Sequence, residues 1–592
     1  MSQKPVIKGG EFLLKEIDFN DVFIPEEFDD ETKMIVDSCK DFLDNEIFPN
    51  LDRIDKQEVG LMASLLKSAG DLGLLGLSIP ENYGGFEQSF LTIMRANEAL
   101  GSGYSYSVAI MAHTGIGTLP ILYYGNEDQK DRYIPKLASG ELMAAYCLTE
   151  PGAGSDANSG RTKAVLSEDG KHYILNGQKM WITNGGFADV QTVFAKIDND
   201  RVLSAFIVER EWEGVSMNPE EKKMGIKGSS TRQIFYNDVK VPVENMLGKR
   251  GEGFRIALNI LHLGRIKLGA TVIGGAKRAI LHSVNYANER KQFGKAIAEF
   301  GAIKHKLAAQ VVRTFATESA VYRASKDIQD NIMLLKSVGV EYGKASIEGV
   351  ADYAIECALM KVYGSESLDY VVDEAVQIYG GMGFSSETPV DRAYRDSRIN
   401  RIFEGTNEIN RLLAVDNLLK RGMKNDFKLF EAGREAVNSR KEFLSVEGLP
   451  YFDAKLAIIK NLKKAILMLI PGISEAFGRK LGEEEEVMMN LSDMLMQVYG
   501  FESTYLRVRK LEQMNGVDAN VLYRDILDVL THETSALVFK SGTDAIVAFA
   551  EPEQKKEWIN DLFQLCSQST YNTKEARRRI AEHLIEQNRY CF

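Results

Sequence analysis

The chain has 592 residues, 44% of them hydrophobic and 26% charged, as in an ordinary globular protein long enough for several domains. Its net charge of −12 and pI near 5.4 argue against a nucleic-acid backbone as partner. Five scattered cysteines without a CxxC pair and seven histidines without HExxH give no sign of a disulfide framework or a metal site. We therefore expect a reducing cytoplasmic location, since the first residues also lack an apolar core of signal-peptide length.

The chain is predicted to alternate between helical and strand-rich domains. Between about 27 and 140, runs such as GLMASLLKSAGDLGLLGL show apolar spacings near 3.6 residues. From about 145 to 245 the pattern changes to short β-branched and aromatic runs, such as VQTVFAKI, separated by turn formers that include Asn176-Gly177. Helical periodicity returns from about 251 to 421 and continues to the end. These patterns predict a mainly α fold with an inserted β domain, divided as 1–140, 141–250, 251–422 and 423–592.

Residues 455–470 of the last domain, KLAIIKNLKKAILMLI, are predicted to form an amphipathic helix. One side carries apolar residues, namely Ile458, Ile459, Leu462, Ile466 and Leu469. Lysines gather along another side, namely Lys460, Lys463 and Lys464. Such a helix can lie in the interface of an anionic membrane, or its apolar face can pack into the tail domain or a dimer partner.

The stretch RIFEGTNEINR contains an isolated acid, Glu404, just before a predicted helix. Thr406 can cap that helix, and Ile409, Leu412 and Val415 continue it as an apolar stripe. Glu404 is thus either an acid that complements the helix dipole or a general base carried on a short loop.

Two glycine-rich segments are candidate ligand loops. AYCLTEPGAGSDANSG, residues 145–160, is followed by KMWITNGG at 179–186, and together they offer small residues, hydroxyls and the Trp181 indole. Such a set can hold a flat ring system with polar edges, such as a flavin, although structural turns between strands have the same composition. QIYGGMGFSSETPVDRAYRD, residues 377–396, places two glycines in a helical pattern, which indicates close backbone approach or helix packing.

These segments together resemble the acyl-CoA dehydrogenase family. CLTEPGAGSDANS and QIYGGMGFSSETPVDRAYRD fit its two signatures, and MGIKGSSTRQIFYNDVKVP, ERKQFGK and FEGTNEI stand in the family's order between about 30 and 420. The remaining tail resembles the very-long-chain branch. The resemblance implies an N-terminal α bundle, a middle β-barrel domain and a C-terminal α bundle, followed by an additional α domain.

The resemblance also implies an activity, namely FAD-dependent α,β-dehydrogenation of an acyl-CoA thioester. Glu404 matches the catalytic base that removes a C2 proton while a hydride leaves C3 for the flavin. Some relatives place the base at the position of Gly264, which cannot serve here. Electrons would pass to an electron-transferring flavoprotein, and the protein would be a homodimer.

Matching positions imply the contacts of each ligand. Those that would line FAD from the β domain are Tyr146, Leu148, Thr149, Ser155, Trp181 and Thr183. Those that would hold FAD across a subunit interface are Arg290, Phe293, Gln377, Gly380 and Gly381. Thr406 matches a further FAD contact, and Glu408 stands where relatives often carry Gln. Expected substrate contacts are Ser155, Arg265, Gly405 and His262, the last in place of Asp or Asn.

Two other functions share this fold: an acyl-CoA oxidase that uses oxygen, and a scaffold or assembly protein. Small residues at helical spacing, Ser105, Ala109, Ala112 and Gly115, indicate either a deep channel for a long acyl chain or close helix packing.

Overall fold

The computed structural model describes residues 6–567 and 570–592, and it begins with a helical unit that extends to Ser139. Its helices are α1 (Asp30–Phe42), α2 (Leu51–Asp55), α3 (Leu61–Asp71), α4 (Phe90–Leu100), α5 (Ser105–Met111), α6 (Leu119–Tyr124) and α7 (Glu127–Ser139). Polar caps determine where helices start: the Asp29 side chain accepts the Thr32 N–H at 2.8 Å, and Asn126 and Gln129 cap α7 reciprocally.

Eight strands follow and enclose a separate apolar interior. They are β1 (Ala144–Cys147), β2 (Lys163–Leu166), β3 (His172–Thr183), β4 (Val190–Ile197), β5 (Ser204–Glu209), β6 (Val215–Met217), β7 (Thr231–Pro242) and β8 (Met246–Leu247). The order is β6-β7-β3-β2-β4-β5-β8, and β1 pairs with the first half of β4 while β2 pairs with its end. The prediction of a turn at Asn176-Gly177 is wrong, because this pair lies inside β3. The pairing with β7 shifts there, and the Asn176 side chain bonds Asp238 in the bulge.

A second helical bundle carries most of the residues of interest. Its elements are α8 (Gly253–Glu289), the short hairpin β9 (Lys291–Gln292) and β10 (Lys295–Ala296), α9 (Gly301–Ser337), α10 (Tyr342–Ala351), α11 (Ala354–Tyr379), α12 (Pro389–Ser397) and α13 (Asn407–Met423). α8 and α11 run in the same direction, with Gly364 beside Val272 and Tyr379 beside Tyr286. They are close together, because a methyl group on Gly364 would lie only 2.9 Å from Val272 Cγ2. α8 is long and apolar enough to cross a membrane, but 72% of its most apolar stretch is buried inside the fold, as in a core helix.

The described residues of the last unit form helices joined by loops. Its elements are α14 (Leu429–Asn438), α15 (Tyr451–Phe477), α16 (Glu485–Asn515), α17 (Val521–Phe549), α18 (Pro552–Cys566) and α19 (Thr573–Gln587). The predicted order of α, β, α and a further α domain is therefore confirmed.

The amphipathic segment 455–470 lies within α15, and its apolar side is covered by the tail core. Its five apolar residues are each at most 1% exposed: Ile458, Ile459, Leu462, Ile466 and Leu469. Lys463 is buried against Glu502 and the Phe12 carbonyl, and Lys464 donates to backbone carbonyls of the preceding loop. Of the two alternatives for this helix, packing of its apolar face into the tail domain is the one that the structure shows.

The first described residues pack on the tail and on the second bundle. The ring of Phe12 lies edge-on to Tyr499 of α16, with centroids 4.8 Å apart. Glu26 accepts from Arg507 Nη2 at 2.6 Å, and the Gly10 N–H donates to Glu356 of α11 at 2.7 Å. This N-terminal segment thus joins two units that follow it by hundreds of residues.

Candidate active site

Glu404 lies on a strained loop that three side chains hold in place. Its φ of 60° is left-handed, which is uncommon for a residue with a Cβ, and Gly405 follows with φ 81°. Asn410 Nδ2 donates to the carbonyls of Glu404, Gly405 and Thr406, while Arg265 Nε donates to the Glu404 carbonyl at 3.2 Å. Lys361 Nζ donates to the Gly405 carbonyl at 2.8 Å. These contacts give the loop one conformation and offset its backbone strain.

The Glu404 carboxylate lies over Gly264 of α8. A methyl group on Gly264 would be 2.7 Å from Oε2 and 2.8 Å from Oε1, so the carboxylate fills the space that a side chain would take. Oε2 is buried and has no hydrogen-bond partner among residues 6–567 and 570–592. In the same part of the chain, the backbone N–H groups of Glu404 and Gly405 donate to no acceptor. The loop therefore presents a free carboxylate and two free donors.

Burial controls the electrostatics of this loop. It raises the pKa of Glu404 to about 7, although the positive charges of Arg265 and Lys361 act in the opposite direction. Burial lowers the pKa of Arg265, which Glu404 partly restores. Burial and the neighbouring Arg265 lower the pKa of His262 to about 3, so that His262 is neutral and accepts from Arg265 Nη1 at 3.1 Å. A base that titrates near neutrality thus lies beside a permanent cation.

Tyr146 of the β domain lies near Glu404, and the other β-domain candidates follow it along the chain. Burial raises the pKa of Tyr146 well above its usual range, and the charge of nearby Glu404 adds to the shift. The Thr149 carbonyl accepts the Met180 N–H at 2.8 Å, which ties the β1–β2 loop to β3. Trp181 lies on β3 where the register with β7 shifts, and its backbone φ is 61°. The residue is 53% exposed. A half-exposed tryptophan on strained backbone is available to a flat ligand.

The other β-domain candidates lie on the same strands and loop. Leu148 is buried, and its carbonyl accepts from Lys179 Nζ at 3.1 Å. Thr183 ends β3 and is half-buried, whereas Ser155 is exposed in the loop that follows β1. This strand-and-loop surface is the one that the sequence predicted for a flavin.

The start of α13 agrees with its prediction. Thr406 Oγ1 accepts the Ile409 N–H at 3.3 Å, so Thr406 caps the helix and Glu404 stands outside it. Glu408 is exposed in the first turn, where a hydrogen bond from its own N–H lowers its pKa.

Five further candidates lie together at the far ends of α8 and α11, namely Arg290, Phe293, Gln377, Gly380 and Gly381. Tyr286 and Tyr379 stack with centroids 4.0 Å apart and hold these ends side by side. Phe293 is at the tip of the β9–β10 hairpin and is 94% exposed. Arg290 follows Arg265 by 25 residues along α8, a distance of about 37 Å at 1.5 Å per residue, or more than the diameter of a small domain. These five candidates therefore lie far from the Glu404 loop along α8.

Sequence reasoning missed Lys361 and Asn410, which hold the loop from α11 and α13. The available signal was a lysine within the apolar run CALMKVY, since a buried lysine is rare without a specific role.

The chain is similar along its whole length to known proteins. Four family definitions match: acyl-CoA dehydrogenase N-terminal domain over residues 29–141, middle domain over 145–239, and two C-terminal domains over 251–419 and 461–562. A probable acyl-CoA dehydrogenase of Bacillus subtilis is 42% identical over 589 residues, which are 99% of this chain and 98% of that protein. A crystal structure of an acyl-CoA dehydrogenase complexed with FAD from Bacillus anthracis has a TM-score of 0.96 and 42% identity, and it covers 99% of this chain and 100% of that one.

The chain belongs to the acyl-CoA dehydrogenase family. A mitochondrial very long-chain specific acyl-CoA dehydrogenase of Rattus norvegicus is 43% identical over 367 residues, which are 60% of this chain and 53% of that protein. That similarity covers 60% of this chain, whereas each of the two Bacillus relatives covers 99% of it.

Proposed function

We propose that the protein dehydrogenates long-chain acyl-CoA thioesters between C2 and C3 in fatty-acid β-oxidation, with FAD as cofactor. The observation that carries the proposal is the placement of Glu404: a buried, unpartnered carboxylate over Gly264, on a loop with free backbone donors.

Glu404 takes the C2 proton of the thioester. A carboxylate with a pKa near 7 is a stronger base than an ordinary glutamate and is still substantially ionised at neutral pH. The thioester oxygen gains charge as the proton leaves, and the free N–H groups of Glu404 and Gly405 are suited to stabilise it.

The β-domain surface fits FAD. The exposed Trp181 indole offers an apolar face, while the hydroxyls of Thr149 and Thr183 and the open loop at Ser155 supply polar contacts at the ring edges. FAD, when bound, supplies the oxidant for the C3–H bond.

We infer a homodimer from the family resemblance, and the position of Arg290, about 37 Å along α8 from Arg265 beside the Glu404 loop, is consistent with it. On this proposal one FAD contacts the β-domain residues of one subunit and the set around Arg290 and Phe293 of a second subunit. Phe293→Ala should then release FAD during gel filtration, while Val59→Ala, at a position 99% exposed, should retain it. Full FAD retention in the Phe293 variant would argue against a shared site.

A small cavity lies along α8 beyond Gly264, and we propose that it takes part of a long acyl chain, with Arg278 and Asp396 also in its lining. It has a volume of about 70 Å³ and is lined mainly by apolar groups, including Val108, Thr271 and Leu368. Along α8, Thr271 lies about 10 Å beyond Gly264 at 1.5 Å per residue. Each methylene buried there contributes about 0.8 kcal/mol.

The small residues that the sequence linked to this channel behave differently from one another. All are buried, but Ser105 Oγ accepts the Gly228 N–H at 3.1 Å and therefore serves packing between domains. A methyl group on Gly115 would meet no atom within 4 Å, so open space remains beside it. The region thus combines packing with free volume.

An electron-transferring flavoprotein is the acceptor that we propose, and a cytoplasmic location suits the five free cysteines. The test is anaerobic titration of the purified yellow protein with butyryl-CoA and palmitoyl-CoA, followed by addition of either the flavoprotein or oxygen. We expect palmitoyl-CoA to bleach the flavin more effectively and the flavoprotein to restore it. Fast restoration by oxygen would identify an oxidase, and no bleaching by any acyl-CoA would favour a scaffold.

A further inference from the structure

Lys361 is completely buried beside the Glu404 loop. Its Nζ donates to the Gly405 carbonyl at 2.8 Å and to Asn407 Oδ1 at 2.7 Å. Asn407 begins α13 and donates onward to Ser365 and Glu366 of α11. The lysine thus connects the loop after Glu404 to the middle of a core helix.

This lysine lacks the carboxylate partner that Lys179 and Lys455 have, and buried Lys267 of α8 likewise has none among the described residues. Lys179 lies 2.7 Å from Glu150, and Lys455 lies 2.6 Å from Asp528. Among the described residues, Lys361 forms no ion pair within 4.0 Å. The negative charge with the largest influence on it is Glu404.

The position is unfavourable for a cation in two respects. Burial lowers the pKa of Lys361 to about 7, and the N-terminus of α13 presents the positive end of a helix dipole. A neutral side chain would avoid both costs. The placement is therefore better explained by what the charge does to Glu404 than by stability.

The groups that face Glu404 come from four elements. Arg265 approaches from α8 with neutral His262 behind it, Lys361 from α11 and Tyr146 from β1, while the exposed Glu408 lies on α13. Arg265 supplies a permanent charge, so Lys361 is the second cation at the base.

We propose that Lys361 positions the Glu404 loop and supplies a positive charge that keeps Glu404 ionised for proton removal. The inference rests on the proposed function. It concerns the protonation of Glu404, which can also be measured without turnover.

The charge and the hydrogen bond can be separated by three variants. Lys361→Gln can still donate to the Gly405 carbonyl but has no charge, Lys361→Met has neither, and Lys361→Arg keeps both. Lys455→Met is the matched control, since it removes a buried lysine from the tail. Each variant is assayed for FAD content, for kcat/KM from pH 5 to 9, and for the carboxylic-acid infrared band that Glu404→Gln abolishes.

We expect Lys361→Gln and Lys361→Met to shift two curves to higher pH by about one unit, namely the acidic side of the pH profile of kcat/KM and the infrared titration of the Glu404 carboxyl. At a given pH on the acidic side, this shift is a tenfold loss of kcat/KM. Lys361→Arg should restore the wild-type limb, and Lys455→Met should lower stability without moving it. If Lys361→Met does not fold, Lys361→Gln carries the comparison. An unmoved infrared titration in Lys361→Gln, or a displaced one in Lys361→Arg, would overturn the proposal. If the wild-type protein has no activity but the infrared titration of Glu404 still shifts in Lys361→Gln, the result would count against the proposed function and not against the role of Lys361.

Discussion

Replacing Glu404 by glutamine should make the folded protein more stable relative to wild type at pH 8 than at pH 5. Burial raises the pKa of Glu404 from 4.5 to about 7, so the folded state holds this proton more tightly than the unfolded chain does. The contribution of Glu404 to stability is therefore complete below pH 4.5 and is lost as the pH rises through 7. The rise in the pKa of Glu404 from 4.5 to about 7 corresponds to about 3 kcal/mol of folding free energy, at about 1.4 kcal/mol per pKa unit. Because Glu404 is partly accessible to solvent, we expect a measured difference of about 1 to 2 kcal/mol.

Urea denaturation at pH 5 and pH 8, with matched FAD content, measures this difference. Any pH-independent effect of the buried amide cancels when the two pH values are compared. Glu127→Gln is the control, because hydrogen bonds to Lys130 and Tyr83 lower the pKa of Glu127, which is then ionised at both pH values. A Glu404→Gln variant whose relative stability is equal at both pH values, or falls towards pH 8, would refute the reasoning.

Two further substitutions test the packing around the site and the tail. Gly264→Ala should move the Glu404 carboxylate by at least 3.4 − 2.7 = 0.7 Å to reach ordinary contact, and kcat/KM should fall roughly ten- to hundredfold with little change in folding. Unchanged kinetics would show that the base does not depend on that space. Lys463→Met removes one of the two cations paired with buried Glu502, the other being Arg323, and should cost about 1 to 3 kcal/mol in urea denaturation, whereas Lys460→Met on the surface should cost less than about 1 kcal/mol. Equal losses would contradict the burial of Lys463.

Local signals in the sequence were sufficient for the elements of the fold. The cap at Thr406 and the isolated acid before it predicted where α13 starts, because capping depends on residues within one turn. The change of hydrophobic period near 145 and again near 250 located the β domain for the same reason.

Contacts between distant segments could not be read from local patterns. Asn176-Gly177 has the composition of a turn, but pairing with β7 converts it into a bulge. The sequence pattern places the lysines of α15 on one side of the helix. Lys463 nevertheless donates to the carbonyl of Phe12, which lies 451 residues away in the chain. Lys361 of α11 reaches the Glu404 loop across 44 residues of sequence, through its bond to the Gly405 carbonyl.

The most direct test of the central claim, that Glu404 is the base, is exchange of the C2 protons of a bound acyl-CoA analogue in D2O. An analogue with sulfur in place of C3 cannot lose hydrogen there, so exchange reports proton removal alone. With wild-type protein we expect exchange that increases as the pH rises through about 7. Glu404→Gln should retain FAD and the analogue but exchange at least 1,000-fold more slowly, on the order of 4 kcal/mol in barrier. Exchange at the wild-type rate in Glu404→Gln would contradict the account.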